Sequence, residues 1–384
     1  MTRNTVTGQE AQPAHGGKVV SWLAKVFELN PAGINWPRAM IFLDVALVPL
    51  VVLVVTGYEQ YLLTALVAVL FAAAADPGGD YGYRAMHLAV YGLIGAALTA
   101  LGFGLGGSSW GWLMLAAFVV TLVAGLAIRF GMHRFVAALL LNLWFIIALS
   151  VAVSFHHHTR ITSYTWAQAV TWVGGTALWI ALSFVAWLIL GRKDRPQLVA
   201  EFPGDTSPLK LSGPLIAYAV LRAVAIAASV AIAFGLDLSH GDWLPIAALV
   251  AMKPSLTQTT LVGVQRVAGA LIGAAVAALL LLIPANEHGL RLLSITHALE
   301  TVSLVLLVHA VATRFWNYAL YYSAITAGVL LLLDLPQPSN YGNEGDRVLW
   351  ALCGVGIGVL VMLLGGLLAK RTAKAPPRPA SRPA

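Results

Sequence analysis

The chain has 384 residues, of which 59% are apolar and only 10% are charged, and its formal net charge is +7. Soluble proteins carry about 25% charged residues, so this composition excludes a soluble globular protein and predicts an all-α polytopic membrane protein. The single cysteine, Cys353, lies in an apolar run, so no disulfide bond within the chain is expected to hold the fold.

The first half of the chain opens with a polar segment. Residues 1–38 are predicted to be cytoplasmic, and the amphipathic stretch Lys18–Leu29 suits either a helix resting on the membrane surface or a short soluble helix. Residues 39–191 then hold six apolar runs of roughly the length that crosses a bilayer. These predicted spans cover approximately residues 39–57, 60–76, 84–103, 110–129, 134–155 and 165–190.

The second half repeats this organisation after a polar cytoplasmic linker at residues 192–213. Residues 214–369 hold six further predicted spans, at approximately 214–236, 242–253, 259–283, 291–312, 315–334 and 347–369. The run at 242–253 is short and ends at Lys253-Pro254, so the sequence leaves open whether it is a full span. Residues 370–384 are basic and proline-rich, and this tail is predicted to be disordered and cytoplasmic.

The distribution of lysine and arginine predicts the orientation of the chain. With the N-terminus inside, only Arg160, Arg291 and Arg347 lie near outer span ends, whereas the other 20 of the 23 basic residues lie at inner loops or ends. Loops rich in lysine and arginine face the cytoplasm. Both termini are therefore predicted to be cytoplasmic.

Three arginines recur between the two halves at an almost constant separation. The pairs are Arg38 with Arg222, Arg84 with Arg266, and Arg134 with Arg314, separated by 184, 182 and 180 residues. This regularity predicts two parallel six-helix repeats, related by an axis along the membrane normal, with a binding site near their interface. The alternative is that arginines simply mark the cytoplasmic ends of helices.

Two of the repeated arginines are predicted to point into the helix bundle. On a helix, Arg266 shares a face with Gly269 and Gly273, and Arg84 shares one with Gly95. Small residues mark places where helices pack closely. A buried cation there requires an anion. For the other repeated arginines, including Arg38 and Arg222, snorkelling to the membrane surface is the competing interpretation.

Acidic residues are scarce within the predicted spans, where Asp44 and Glu300 are the candidates. Their scarcity predicts an anion pathway lined by Arg84 and Arg266, with a structural salt bridge to Asp44 or Glu300 as the alternative. Buried carboxyl and imidazole groups can carry protons, so Asp44, Glu300 and His297 are also candidates for proton coupling.

Lys253 lies where Pro254 interrupts a helix, immediately before the polar stretch "SLTQTT". Irregular backbone at membrane depth is tolerated only beside protein or water, so Lys253 is a candidate substrate contact at an inner gate. An ordinary cytoplasmic turn is the alternative.

Enzymatic motifs are missing from the sequence. It has no glycine-rich dinucleotide loop after a strand, no P-loop, no HExxH and no GxSxG at a strand-to-helix turn. Adjacent histidines at 156–158 point in different directions on a helix, so no metal site is predicted there. The sequence therefore predicts no enzyme, no cofactor and no nucleic-acid partner.

A resemblance emerges in the second half. Arg222 opens a span, Trp243 starts a helix ending in "MKPS", and "QRVAGALIG" follows a threonine-rich link. This pattern, extended by "RFWNYALYYSAITAGVLLL" and "DRVLWALCGVGIGV", resembles the fusaric acid resistance protein-like (FUSC) family, which includes aromatic acid exporters. The first half resembles the family more loosely, since it has "ADPGGDYGYR" in place of the lysine-proline turn.

The resemblance implies export of carboxylated small molecules across a bacterial inner membrane. The predicted substrate contacts are Arg84, Arg266, Lys253, Arg222 and Arg38. The expected partners are a small organic anion and the lipid bilayer. A homo-oligomer and a periplasmic adaptor are further hypotheses, although the chain lacks the large cytoplasmic domains of many relatives. An anion channel on the same fold, or a membrane scaffold without transport, is the alternative function.

Overall fold

The computed structural model describes residues 27–30, 33–34, 36–77, 79–157, 164–189, 191, 212–252, 256–281, 283, 289–314, 316–334 and 341–373. Twelve α-helices lie within this part of the chain. They are α1 (Trp36–Val55), α2 (Leu62–Ala75), α3 (Tyr81–Gly104), α4 (Trp110–Leu126), α5 (Met132–His157), α6 (Thr165–Ile189), α7 (Gly213–Gly235), α8 (Trp243–Ala251), α9 (Leu256–Leu281), α10 (Gly289–Thr313), α11 (Tyr318–Asp334) and α12 (Tyr341–Ala373). Short 3-10 turns at Glu59–Tyr61 and Ala127–Phe130 precede α2 and follow α4.

Seven helical segments in the described residues are long and apolar enough to cross a membrane. They are Tyr81–Gly104, Trp110–Phe130, Arg134–Ser154, Thr165–Ile189, Leu215–Gly235, Gly289–Thr313 and Leu349–Gly366. Four shorter apolar helices accompany them, at Ala39–Val55, Glu59–Ala75, Ala268–Leu281 and Tyr318–Leu331. The predicted all-α multi-pass membrane fold is thus confirmed, while the number of twelve spans stays a prediction.

Helix α8 is the short element of the bundle. It has nine residues, a length of about 14 Å at 1.5 Å per residue, so α8 by itself is much shorter than a hydrocarbon layer of about 30 Å. It is nevertheless almost wholly buried. Gly354 and Gly358 of α12 face it, and a methyl group on Gly358 would lie 2.8 Å from the Ala251 side chain.

Packing follows one scheme within α1–α6 and a similar one within α7–α12. In the first set, α3 packs on α5 and α6, and α2 packs on α6. In the second set, α9 packs on α11 and α12, and α8 packs on α12. The most extensive contacts between the sets are those of α4 with α7 and of α10 with α1, and α5 also packs on α8.

The apolar core that joins the two sets of helices lies between α4, α5, α7 and α8. Its buried members include Phe145 of α5, Ile226 of α7, Leu249 of α8 and Met252 just beyond α8. Helices α4 and α7 approach closely because Gly125 has no side chain; a methyl group there would lie 3.1 Å from the Ala219 Cβ. This seam positions the site described next.

Candidate anion site

Arg84 lies in the first turn of α3 and is buried, with only 1% of its surface exposed. Its Nε donates to Asp76 Oδ1 at 2.7 Å, and its Nη2 donates to Asp76 Oδ2 at 2.5 Å. Asp76 follows the end of α2, is 4% exposed, and accepts a longer bond of 3.4 Å from Trp179 Nε1. The guanidinium and the carboxylate thus form a bidentate buried pair.

The partner of Arg84 is therefore Asp76, and not Asp44 or Glu300 as the salt-bridge alternative supposed. Asp76 escaped notice because it falls at the very end of a predicted span. The useful signal was the sequence Asp76-Pro77: proline ends α2 and returns the chain to α3, which brings the aspartate back to an arginine eight residues later. An anion that binds Arg84 has to displace this carboxylate.

Arg222 presents the opposite situation. It lies in α7 with 0% of its surface exposed, and none of its three side-chain nitrogens has a hydrogen-bond partner among the described residues. The guanidinium carbon lies 5.4 Å from the centre of the Phe135 ring, a cation–π contact. The Tyr218 hydroxyl, one turn earlier, lies close enough to the guanidinium for an electrostatic and hydrogen-bonding interaction, although the geometry is not that of a well-formed hydrogen bond.

No acidic residue of the surrounding helices can neutralise Arg222 at close range. The sequences of α4, α5, α7, α8 and the 3-10 turn before α5 contain no aspartate or glutamate. Helix α12 also packs on α7, and it approaches Leu221 at Gly365. Its nearest acid, Asp346, lies 19 residues earlier, which is about 28 Å along a helix. Among the described helices around Arg222, no carboxylate therefore lies at close range.

The chemistry of this site suits an anion. An unpaired buried cation costs several kcal/mol, whereas a carboxylate can accept two parallel hydrogen bonds from the guanidinium fork. The unpaired Tyr218 hydroxyl adds a third donor one turn away on the same helix face. Phe135, which is fully buried, supplies an apolar wall.

Two further arginines lie near this site, at the turn between α4 and α5. The guanidinium carbons of Arg129 and Arg134 lie 5.7 and 5.9 Å from the centre of the Phe130 ring. Both arginines and Phe130 are exposed. Arg134 is followed directly by Phe135, the ring that contacts Arg222, so the exposed and buried groups adjoin at the start of α5.

The other residues predicted to form the site are either exposed or have side chains that the structure does not describe. Asp44 is exposed on α1. Glu300 and His297 are also exposed, and Glu300 Oε2 lies 2.9 Å from His297 Nδ1, one turn away on α10. Their proposed role in proton coupling stays a prediction. The side chains of Arg38, Lys253 and Arg266 lie outside the described part of the structure.

The two glycines of α9 that were predicted to share a helix face with Arg266 are described, although the Arg266 side chain is not. Gly269 and Gly273, three and seven residues later, pack directly on α11. A methyl group on Gly273 would lie 2.6 Å from the Ser323 carbonyl oxygen. This part of α9 is therefore an interhelical surface.

Comparisons with known proteins identify one part of the chain. No curated protein and no solved structure matches the chain. A family model described as fusaric acid resistance protein-like matches residues 216–361, a stretch that runs from α7 into α12 and includes Arg222. The resemblance noted in the sequence is thereby confirmed: over residues 216–361 the chain is similar to the fusaric acid resistance protein-like family.

Proposed function

We propose that this protein is a membrane transporter that exports organic anions, with aromatic carboxylic acids as its substrate class. A multi-pass helical fold and the family of its second half fit a transporter in general. The observation that carries the anionic substrate is Arg222: it is fully buried, and it has no hydrogen-bond partner among the described residues. A transporter keeps such a cation because the solute itself completes the site.

The proposal includes two parallel repeats, α1–α6 and α7–α12. The pairing of α3 with α5 and α6 has its counterpart in the pairing of α9 with α11 and α12. The contact of α4 with α7 likewise has its counterpart in that of α10 with α1. Sites in repeat transporters lie where the halves meet, and Arg222 lies on such a seam.

The cations have different tasks in this proposal. Arg222 is the primary carboxylate contact, and Phe135 faces the apolar body of the substrate. Arg38, the proposed repeat counterpart of Arg222, lies in the first turn of α1, and Lys253 and Arg266 add positive charge in the second half. Arg84 takes part only if the substrate displaces Asp76. Asp44, Glu300 and His297 remain candidates for coupling to protons.

The direction of transport follows from the proposed placement in a bacterial inner membrane with both termini in the cytoplasm. The basic residues then concentrate at the inner face, where they attract anions from the cytoplasm. An inside-negative potential favours the exit of a monovalent anion by about 2.3 kcal/mol per 100 mV. Export therefore does not require proton coupling.

The test is flux of radiolabelled benzoate and of aliphatic acids in proteoliposomes, with and without a pH gradient. Arg222→Gln is expected to reduce benzoate flux at least about tenfold, the effect of losing a buried charged hydrogen-bonding group. Arg291→Gln, which removes an exposed cation on α10, is the matched control and should leave flux unchanged. Folded Arg222→Gln protein with full flux would refute the proposal.

A further inference from the structure

We propose that Arg129, Phe130 and Arg134 form a surface anion site, which captures the anionic substrate at the membrane surface and passes it to Arg222. This inference rests on the proposed transport function. It adds residues that neither the sequence patterns nor the family match assigns to the substrate, and it names the route by which the buried site is loaded.

The position of these residues suits an entrance. One apolar span ends at Phe130 and the next begins at Arg134, so the turn between them lies at a membrane surface. Arg129, Phe130 and Arg134 are exposed there, and Phe130 retains 55% of its surface. Both guanidinium groups lie within 6 Å of the centre of the same ring. The turn therefore gathers two cations around one aromatic side chain.

The charge of this cluster is uncompensated within the elements around it. Neither arginine forms an ion pair with a carboxylate in the described part of the chain. Helices α4 and α5 and the turn between them contribute no acid, as noted for Arg222. Two like charges beside one another repel, and an anion that binds between them removes that repulsion. The electric fields of the two guanidinium groups add at distances shorter than the Debye length, which is about 8 Å at physiological salt.

The cluster adjoins the buried site in the chain at the start of α5. Arg134 is exposed, the next residue, Phe135, is fully buried, and Arg222 lies 5.4 Å from the Phe135 ring. In the proposed route the carboxylate passes from the exposed cations to the seam between α4, α5 and α7. A carboxylate that moves along this route stays near a guanidinium while its apolar body contacts a ring.

The same two cations could instead bind lipid phosphate and anchor the ends of two helices. Free carboxylate and lipid phosphate share the chemistry of a guanidinium-bound oxyanion. They differ in what removal of the charge does to transport: loss of an anchor does not change the substrate concentration needed for half-maximal flux, whereas loss of a capture site does.

The test compares the double variant Arg129→Gln/Arg134→Gln with Arg129→Lys/Arg134→Lys, which keeps both charges, and with Arg291→Gln as the control for an exposed cation elsewhere. Benzoate is supplied to either face of uniformly oriented vesicles at low and high ionic strength. At low ionic strength the glutamine variant should raise the apparent KM about three- to tenfold, with little change in maximal flux. The rise should occur at one face only and should disappear at high salt.

Each outcome decides the inference. An unchanged KM, an equal rise at both faces, or a rise that persists at high salt overturns it. A rise in the apparent KM in vesicles of zwitterionic lipid supports substrate capture. A fall in maximal flux at unchanged KM, confined to vesicles with anionic lipid, assigns the arginines to lipid phosphate and overturns the inference. Loss of flux in Arg222→Gln with unchanged kinetics in the double variant leaves the transport proposal standing and removes only the surface anion site.

Discussion

The two buried arginines of this protein should respond in opposite ways to the same substitution. Arg84 and Arg222 are both essentially inaccessible to solvent, with 1% and 0% of their surfaces exposed. Arg84 is bound to Asp76 by two hydrogen bonds, whereas Arg222 has no hydrogen-bond partner among the described residues. We therefore compare Arg84→Met with Arg222→Met, because methionine keeps much of the aliphatic stem and removes the charge.

The expected magnitudes follow from what each guanidinium leaves behind. Arg84→Met removes both guanidinium hydrogen bonds from the buried Asp76 carboxylate, so it should lower the free energy of unfolding by about 3–5 kcal/mol. Arg222→Met removes a desolvated charge that costs several kcal/mol, and loses a cation–π contact worth about 0.5–2 kcal/mol. The net expectation is an increase in stability of about 1–4 kcal/mol.

The assay is thermal or denaturant-induced unfolding of both variants and the unmodified protein in one detergent, with benzoate absent and then present. The Arg222→Met protein should unfold at a higher temperature than the unmodified protein, and Arg84→Met at a lower one. Benzoate should raise the melting temperature of the unmodified protein but not that of Arg222→Met. Destabilisation of Arg222→Met comparable to that of Arg84→Met would show that Arg222 has an internal counter-charge, and would refute the reasoning.

Two further predictions concern the packing of the first six helices. Gly95→Ala should destabilise the protein by about 1–3 kcal/mol, because a methyl group at this position would overlap the Trp172 indole. The control is Gly174→Ala, where nothing lies within 4 Å of the added methyl group, and it should be neutral or slightly stabilising. Equal effects of the two substitutions in unfolding assays would contradict this prediction. Thr99→Val should lower the free energy of unfolding by about 1–3 kcal/mol, because the Thr99 hydroxyl accepts a 2.7 Å hydrogen bond from the buried Trp144 Nε1. An unfolding midpoint equal to that of the unmodified protein would show that this bond is dispensable.

Much of the architecture was predictable because it depends on local patterns. Apolar runs locate the helices, since a backbone in lipid must satisfy its own hydrogen bonds, and the short run before Lys253-Pro254 does form a helix of only nine residues. The similarity of residues 216–361 to the fusaric acid resistance protein-like family was recognisable from short motifs around Arg222 and Arg266. The twelve spans, the two repeats and the assigned orientation stay predictions.

The pairing of charges was less predictable. Asp76 and Arg84 meet because a proline interrupts the chain between them, and their contact depends on the angle at which α2 and α3 leave that turn. Glu300, which was expected to be buried, instead lies exposed beside His297. Sequence position indicates depth along a helix, but only the neighbouring helices determine which face is covered.

The sequence by itself therefore determined that this is a helical membrane protein with a surplus of cations, because hydrophobicity and charge are properties of single residues summed along the chain. Only the tertiary structure shows that Arg84 is paired with a carboxylate, whereas Arg222 has no such partner among the described residues. Arg84 and Arg222 each lie within an apolar helix, and they differ only in what other helices bring to them: a carboxylate in one case, a phenyl ring in the other. The free energy of a buried charge depends on its surroundings, and those are fixed by packing across the whole bundle.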